Sequence, residues 1–346
     1  MSETLAVIGE FGLIDRIDAL LERAGIHVPE VSVGIGDDCA VFQPRAGYDI
    51  LVTCDVMVEG RHYLPQFISP LDLGRRAMTL NISDIGAMGG VPRYALVSLG
   101  LRSDTAIKDV EAIYLGFMEE LKPFDAVIIG GNLTKSEGAN FVDITLIGEI
   151  AAGTSVRRST ATPGDVILVT GYPGEAAAGL RILLSGRSAH DLENNPLVQA
   201  YNRPSHRAAE GGAVARSGLA SAMIDTSDGL VGDLGHICDK SGVGALLVQE
   251  KLPISPPLRE AAAHFNQDPV DLVLGDSDDY ELIITCPPEH ADRISSLITA
   301  LGRVQVNTIG EITSTPGKIQ LRSADGSSRS LTRSGWNHFA QQGERT

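Results

Sequence analysis

The chain has 346 residues, which is enough for two domains or for one large α/β domain. Its net charge of -16, with no basic stripe, argues against a general nucleic-acid binder. No run approaches the roughly 18 apolar residues of a membrane span. The four cysteines form no CxxC pair, so we expect reduced thiols in a cytoplasmic protein.

The first half of the chain alternates between predicted helices and strands. Apolar spacing predicts, in order, a helix over 8–24, a buried strand over 49–54 that ends at Asp55, a helix over 70–88, a strand over 94–101, a helix over 105–121, and strands over 126–129 and 141–150. A linker-like Ala-Ala-Gly-Thr-Ser stretch then places a domain boundary near residue 151. We therefore predict domains over 1–150 and 151–346.

The second half continues the same interleaving after the turn Pro163-Gly164-Asp165. Strands are predicted over 166–170, 222–225, 245–249, 280–285 and 306–312, and helices over 175–184, 204–216, after Asp228, over 258–264 and over 289–301. The tetrapeptide Ile-Gly-Glu-Ile ends a strand in each half, at 147–150 and 309–312, but four residues are too few to establish a repeat.

Acidic residues recur at the ends of apolar strands, next to glycine. They are Asp37 and Asp38, Asp55 after Thr53 and Cys54, Asp84, Asp225 and Asp228, and the run from Asp276 to Asp279. Mg²⁺ takes oxygen ligands from one or two carboxylates, from waters and from phosphates. Phosphoryl transfer needs charge neutralisation and positioning more than covalent help. Carboxylates gathered from separate strand ends therefore suit several Mg²⁺ ions bridging a polyphosphate.

A structural explanation of each acidic motif stays open, since aspartate and glycine also mark turns. Asp84 fits that explanation poorly. It shares one helix face with Ala77, Asn81 and Met88 by spacings of three and four residues. An aspartate in a buried helix costs several kcal/mol unless it is paired or metal-bound. An exposed helix face, or Asn81 and Asp84 capping neighbouring loops, remains the alternative.

The usual nucleotide-binding loops are missing from the sequence. There is neither a GxxxxGK[ST] loop nor the glycine-rich loop with the lysine and HRD residues of protein kinases. The run Gly171-Tyr172-Pro173-Gly174-Glu175 follows a predicted strand and opens a helix, so its amides are a weak candidate for phosphate binding. If the protein uses ATP, it does so with a different architecture.

Seven motifs follow one another in a specific order. They are Gly9-Glu10-Phe11, Gly34-Ile35-Gly36-Asp37-Asp38, Asp55 with Val58-Glu59-Gly60-Arg61-His62, Asn81-Ile82-Ser83-Asp84-Ile85-Gly86-Ala87-Met88-Gly89, Gly130-Gly131, Asp225-Thr226-Ser227-Asp228-Gly229-Leu230, and Asp279-Tyr280-Glu281-Leu282. The series resembles the thiamine-monophosphate kinase family over almost the whole chain. The resemblance implies a two-domain α/β (α+β) fold of the aminoimidazole-ribonucleotide synthetase superfamily, whose N-terminal domain pairs in a homodimer.

The resemblance also implies an activity and its residues. The family transfers the γ-phosphoryl group of ATP to the phosphate of thiamine monophosphate, assisted by several Mg²⁺ ions. The implied metal ligands, of which Asp37, Asp55, Asp84 and Asp228 also serve catalysis, are Asp37, Thr53, Cys54, Asp55, Asp84, Asn132, Asp225 and Asp228. The implied ATP contacts are Gly131, Asn132, Arg158 and Ser227, and the implied contacts to thiamine monophosphate are His62, Asp278 and Trp336.

Chemistry supports these roles but leaves alternatives open. An arginine fork matches phosphate, although Arg157 stands next to Arg158 and either side chain could point inward. A tryptophan such as Trp336 can stack on a cationic thiazolium, or it can simply lie in a core. His62 can contact the thiamine phosphate, or it can be a satisfied or exposed histidine.

Three positions depart from the family pattern. Asn132 stands where the family has the aspartate of Gly-Gly-Asp, so one Mg²⁺ site loses a charged ligand. Cys54 replaces a hydroxyl residue, and a thiol is a poor ligand for a hard cation. Asp278 shortens the acid that the family places near thiamine and follows Asp276-Ser277 in place of glycines.

Three hypotheses follow from these observations. The first is a thiamine-monophosphate kinase with an altered site, and the second is a related ATP-dependent enzyme with another small substrate. The sequence argues against selenophosphate synthetase and the hydrogenase-maturation dehydratase within the second hypothesis, because the first cysteine is Cys39 and the tail carries none. The third is a non-catalytic nucleotide- or metal-binding homodimer, which Asn132 and Cys54 motivate.

Overall fold

The computed structural model describes residues 4–24, 28–35, 39–186, 192–302 and 304–332. The chain divides into two compact units. The first contains the described residues up to Ser155 together with Asn202–Arg216, and the second contains the remaining described residues. The domain boundary near residue 151 stays a prediction.

Helices and strands alternate along the chain, and the predicted mixed α/β class is confirmed. The helices are α1 Leu5–Ala24, α2 Pro70–Ala87, α3 Ile107–Leu121, α4 Glu175–Leu184, α5 Pro196–Asn202, α6 Ala208–Ser217, α7 Leu230–Ser241, α8 Pro256–His264, α9 Pro269–Leu274 and α10 Ala291–Leu301. The strands are β1 Val31–Val33, β2 Val41–Phe42, β3 Tyr48–Val58, β4 Val91–Leu101, β5 Val127–Lys135, β6 Phe141–Ala151, β7 Val166–Thr170, β8 Ala222–Asp225, β9 Gly244–Val248, β10 Leu282–Cys286, β11 Val306–Thr313, β12 Ile319–Arg322 and β13 Ser328–Ser330.

The first unit is built on a four-stranded sheet with the order β3-β6-β4-β5. Strand β6 pairs antiparallel with β3 and β4, whereas β4 and β5 are parallel. Helices α2 and α3 cover one face and bury apolar side chains such as Met78 and Phe117 against it. Helix α2 starts where Ser69 caps it, since the Ser69 hydroxyl accepts from the Asp72 amide at 3.1 Å and Pro70 follows.

Strand β3 differs from its prediction. The sequence predicts a buried strand over 49–54 that ends at Asp55, but the strand spans 11 residues and Asp55 lies within it. One face packs on α2, where Met57 is 2% exposed, and the other is open, with Val52 64% exposed. The apolar run is therefore an alternating strand whose outward positions are also apolar.

The second unit is built on a seven-stranded sheet with the order β13-β12-β9-β11-β7-β10-β8. All neighbours in it are antiparallel except β12 and β9. Strands β7 and β10 and the edge strand β8 are almost entirely buried, as their continuous apolar runs predict. The loops that follow β7 and β8 and the loop that precedes β10 carry the candidate site residues of this unit.

Several elements were not predicted because they are short. They are strands β1, β2, β12 and β13 and helices α5 and α9, none longer than seven residues. The helix predicted over 204–216 begins only at Ala208. Among the described residues, no helix is both long enough and apolar enough to cross a membrane.

Candidate functional site

Three predicted site residues of the first unit meet between β3 and α2. Thr53 and Asp55 occupy alternate positions of β3 on the face that packs against α2. From α2, the Asp84 carboxylate accepts a hydrogen bond from the Thr53 hydroxyl. The strand and the helix thus bring together three side chains that lie up to 31 residues apart in the sequence.

The electrostatics of this cluster disfavour a second negative charge. Burial, the Asp84 carboxylate and the Asp143 carboxylate, in that order, raise the pKa of Asp55 to about 6. Desolvation and like charges both favour the protonated acid. A bound cation would reverse this preference, because its positive charge favours the ionised form of the acid.

The donor set of the cluster fits a magnesium ion. Two carboxylates and one hydroxyl are hard oxygen donors of the kind that Mg²⁺ selects. One turn before Asp84, the side-chain oxygen of Asn81 is buried and has no hydrogen-bond partner among the described residues, while its amide nitrogen donates to the Ala77 carbonyl at 3.1 Å. Such a buried, unpaired oxygen is uncommon unless a further ligand completes the site.

The opposite face of β3 carries a second polar group, at Cys54. The Cys54 thiol donates to Oδ1 of Asp143 at 3.2 Å, and the Thr145 hydroxyl donates to the Cys54 sulfur at 3.5 Å. Asp143 and Thr145 belong to β6, which pairs antiparallel with β3. Cys54 therefore lies beside a carboxylate, but on the other side of the sheet from Asp84.

Gly131 and Asn132 lie inside β5 and not after it, since the strand continues to Lys135. A Cβ atom at Gly131 would lie 1.8 Å from the Val97 carbonyl oxygen, so this close approach of two strands admits only glycine. Asn132 is exposed and pairs in register with Ser98 of β4.

His62 follows β3 in a tight turn. Its backbone amide donates to the Val58 carbonyl at 2.9 Å, and its ring Nδ1 accepts from the Val58 amide at 3.0 Å. With Nδ1 as an acceptor, the neutral ring carries its proton on Nε2. The turn thereby fixes the tautomer and orientation of the imidazole.

In the second unit, the loop after β8 contains Asp225, Ser227 and Asp228. Asp225 ends the strand and is buried, Ser227 is exposed and Asp228 is half-buried. One oxygen of Asp233, in the first turn of α7, accepts from the amides of Ser227, Asp228 and Gly229 at 3.0, 3.0 and 3.1 Å. Asp228, Asp233 and His236 each place one potential ligand atom within 4.8 Å of the others.

The loop that carries Asp278 lies directly against this one. Thr226 donates its amide to the Glu281 carbonyl at 2.8 Å and accepts the Tyr280 amide at 2.9 Å. At Gly229, where φ is 113°, an added Cβ would lie 2.3 Å from the Gly275 carbonyl oxygen. The candidate metal loop and the candidate substrate loop are therefore in contact in the second unit.

The candidate phosphate cradle at Gly171–Glu175 is occupied by the protein itself. The Asp279 carboxylate accepts from the amides of Gly174 at 2.6 Å and Ala176 at 2.8 Å, and the Ser277 hydroxyl accepts from Ala177 at 3.1 Å. Burial raises the pKa of Asp279 to about 7, against the effect of these donors. The α4 N-terminus thus anchors the loop of Asp278, and the occupied amides of Gly174 and Ala176 argue against the weak phosphate-binding candidate there.

The remaining predicted residues are partly described. Arg158 is exposed in the second unit, and its carbonyl accepts from the Ser241 hydroxyl at 2.9 Å. Asp37 and Trp336 lie outside the described residues. The structure thus groups Thr53, Asp55 and Asp84 in one unit and Asp225, Ser227, Asp228 and Asp278 in the other.

Sequence reasoning missed two acids that shape these sites, Asp143 and Asp233, and it missed the role of a third, Asp279. Asp143 stands in the alternating run of β6, where the intervening positions Val142 and Ile144 are buried, so the outward acid was visible in the pattern. Asp233 occupies the first turn of a helix, where acids are favoured. Asp279 had no local signal for its role, because its partners lie more than 100 residues away.

Comparison with known proteins identifies the family of the chain. Residues 36–150 match the AIR synthase related protein N-terminal domain, and residues 162–321 match the C-terminal domain of the same family. The thiamine-monophosphate kinase of Bacillus subtilis (strain 168) is 34% identical over 328 residues, covering 94% of this chain and 98% of that protein.

Two solved structures extend the comparison. The crystal structure of thiamine-monophosphate kinase from Stenotrophomonas maltophilia K279a has a TM-score of 0.80 and 32% identity, covering 93% of this chain and 98% of that chain. AaThiL complexed with AMPPCP and TMP has a TM-score of 0.74 and 32% identity, covering 98% of this chain and 100% of that chain. The expected two-domain architecture is confirmed, and the chain belongs to the thiamine-monophosphate kinase family.

Proposed function

We propose that this protein phosphorylates thiamine monophosphate to thiamine diphosphate with ATP. The observation that carries the proposal is its relation to AaThiL, which is 32% identical over 98% of this chain and whose structure contains AMPPCP and TMP. In the reaction, the bond from the γ-phosphorus to the bridging oxygen breaks. A phosphate oxygen of thiamine monophosphate forms the new bond to phosphorus, and ADP leaves.

The acids of both units would hold several Mg²⁺ ions. In the first unit we assign Asp37, Asp55 and Asp84 with the Thr53 hydroxyl, because the raised pKa of Asp55 and the oxygen donor set suit a hard cation. In the second unit we assign Asp225 and Asp228. Bound Mg²⁺ would neutralise the developing charge on the transferred phosphoryl group.

The remaining assigned residues would position the two substrates. Ser227, Gly131, Asn132 and Arg158 would contact ATP, since backbone amides, a hydroxyl and a guanidinium all donate to phosphate. His62 would donate from Nε2 to the phosphate of thiamine monophosphate, because its Nδ1 already accepts from Val58. Asp278 and Trp336 would contact the thiamine rings. The cytoplasmic location stays a prediction.

A direct assay of the natural chain and of Asn132→Asp tests the proposal. We expect both to convert thiamine monophosphate to thiamine diphosphate when ATP and Mg²⁺ are present, with one ADP for each product. The added carboxylate is expected to lower the Mg²⁺ concentration that half-saturates the rate by about tenfold, since one charged ligand is worth roughly 1.4 kcal/mol or more. Product is measured by chromatography.

Two other outcomes contradict the proposal in different ways. Product from the variant alone would mean that Asn132 has disabled the natural chain and that it binds nucleotide without catalysis. No product from either, while calorimetry shows ATP binding, would mean that another small molecule is the phosphate acceptor.

We also propose that two copies pair through the open face of the first unit's sheet. Tyr48, Ile50 and Val52 alternate along β3 on this face and are 37%, 41% and 64% exposed. A row of large apolar side chains on an open strand is a typical contact surface. Val56, which is 44% exposed, continues the row on the far side of Cys54.

Val52→Asp is expected to convert the dimer to a monomer, because it would bury an unpaired charge in the contact. Sedimentation equilibrium should show twice the chain mass for the natural protein and the single mass for the variant. Leu184→Asp, at an exposed position of α4 in the second unit, is the matched control and should remain dimeric. A natural protein that sediments as a monomer at tens of micromolar would contradict this pairing.

A further inference from the structure

Asn81 lies on the face of α2 that packs on the four-stranded sheet. Two neighbours on the helix define this face. Asp84 reaches Thr53 of β3. Ile85 packs on β6, where a Cβ added at Gly148 would lie 2.6 Å from Ile85 Cγ2. At about 100° for each residue, position 81 falls between positions 84 and 85 around the helix axis. Asn81 therefore points at the same surface, one turn before Asp84, and it is fully buried.

The side-chain amide of Asn81 is satisfied at its nitrogen only. Nδ2 donates to the Ala77 carbonyl at 3.1 Å, and this bond sets the orientation of the amide because a carbonyl can only accept. Oδ1 is buried and has no hydrogen-bond partner among the described residues. A buried oxygen without a donor costs free energy. An apolar residue of similar size would avoid that cost, so the fold alone does not explain the asparagine.

The polar side chains of the adjacent cluster leave no donor for this oxygen. The Thr53 hydroxyl already donates to Asp84, and ionised carboxylates such as those of Asp55 and Asp84 only accept. A donor must therefore come from outside these three side chains. Mg²⁺ keeps several of its waters and polarises them, so they donate strongly. Positions 81 and 84 lie about 4.5 Å apart along the helix axis, a separation that one water can bridge.

We propose that Asn81 is a positioning residue of the Mg²⁺ site in the first unit, where its Oδ1 accepts a hydrogen bond from a water on the ion that Thr53, Asp55 and Asp84 would hold. The inference rests on the proposed function, because that function calls for an ion at this cluster. Hydrogen bonds of this outer kind orient the groups around a metal, and their loss lowers its affinity by about 10- to 100-fold.

Metal binding and stability, both measured without turnover, test this role. Mn²⁺ is titrated into the metal-free full chain, and the free ion is counted from its paramagnetic resonance spectrum. We expect Asn81→Leu to weaken one class of site by about tenfold or more, and Asp84→Asn should weaken the same class.

Asn81→Leu should also raise the melting temperature of the metal-free protein by roughly 2–4 °C. The substitution removes an unsatisfied buried oxygen, and the Ala77 carbonyl keeps its helix bond from the backbone amide of residue 81. A residue with a purely structural role would change the melting temperature in the opposite direction.

Two further variants separate the acceptor oxygen from the rest of the side chain. Asn81→Asp keeps an acceptor, so its Mn²⁺ affinity should stay within about threefold of the natural value or rise. Its buried charge should lower the melting temperature of the metal-free protein. Thr79→Val is the matched control, because Thr79 is also fully buried in α2 but lies two residues earlier, on the opposite side of the helix. It should leave every Mn²⁺ site unchanged.

Three results overturn the inference: unchanged Mn²⁺ binding in Asn81→Leu, weaker Mn²⁺ binding together with a lower melting temperature in that variant, or an equal loss of Mn²⁺ binding in Asn81→Asp. If Mn²⁺ binding follows the expected pattern but thiamine monophosphate is not phosphorylated, the proposed function fails and the role of Asn81 stands. If the natural chain makes thiamine diphosphate while Asn81→Leu binds Mn²⁺ normally, the function stands and this inference fails.

Discussion

Asp84→Asn is expected to lower the rate of thiamine diphosphate formation by about a hundred- to a thousandfold, the usual effect of removing one group that stabilises transition-state charge. Asp84 faces Thr53 and Asp55 across the contact between α2 and β3, and the substitution removes a charged ligand from that cluster. Asparagine has nearly the same shape as aspartate, and its side-chain oxygen can still accept the hydrogen bond from the Thr53 hydroxyl. Initial rates at saturating ATP measure the effect, and Asp104→Asn serves as the charge control.

The same substitution should stabilise the metal-free protein. Asp55 has a folded pKa of about 6, above its unfolded value of about 3.9, so the folded state binds more protons between these values. Stability from this group is therefore lost as the pH rises from about 4 to 6. Asp84→Asn removes one cause of the raised pKa, so it should reduce this loss and raise the melting temperature at pH 8.

If Asp84→Asn lowers the activity and raises the melting temperature, then the charge of Asp84 supports catalysis and lowers the stability of the fold. The melting temperature is measured by calorimetry in a chelating buffer at pH 4 and pH 8. A variant that loses both activity and stability would show instead that Asp84 is a structural residue, and an unchanged rate would remove it from the site.

Gly229→Ala is expected to destabilise the second unit by about 3 kcal/mol or more. Its φ of 113° strains any other residue, and the new Cβ would lie 2.3 Å from the Gly275 carbonyl oxygen. The loop of Asp225–Asp228 would then be forced away from the loop of Asp278. We expect the melting temperature to fall by roughly 6–12 °C and the half-saturating thiamine monophosphate concentration to rise.

Gly242→Ala separates the cost of the positive φ from the cost of the contact with the Gly275 carbonyl oxygen. Gly242 ends the same helix α7 with a φ of 66°, but an added Cβ meets nothing within 4 Å. This control bears only the cost of a left-handed residue, about 1–2 kcal/mol. Thermal melts of both variants measure the difference, and equal destabilisation would mean that the contact of Gly229 with Gly275 contributes nothing.

Local patterns predicted much of the fold. The predicted bounds of β7, α4 and β8 agree with the structure, because a turn signal or a continuous apolar run limits each of them. The error at β3 has a physical cause. Its outward positions Ile50 and Val52 are apolar, so the alternation that reveals an open face is hidden in the sequence.

Site residues could be predicted only where the sequence immediately around them made them stand out. Asp55 and Asp84 stood out as acids in apolar surroundings, and the structure places both beside Thr53. The capping of α4 by Asp279 and the contact of Cys54 with Asp143 depend on side chains 89 to 105 residues apart. Such contacts follow from strand order and register, which short-range periodicity does not contain.

Strand β3 carries the acid Asp55 toward α2 and the apolar residues Ile50 and Val52 toward the open face. If a second copy covers that open face, dissociation at high dilution would expose one side of the strand that orders Asp55. Specific activity would then depend on enzyme concentration, and rates measured at nanomolar protein would underestimate those at the higher concentrations of a cell. Dilution alone would then lower the activity of each enzyme molecule, although no inhibitor is bound.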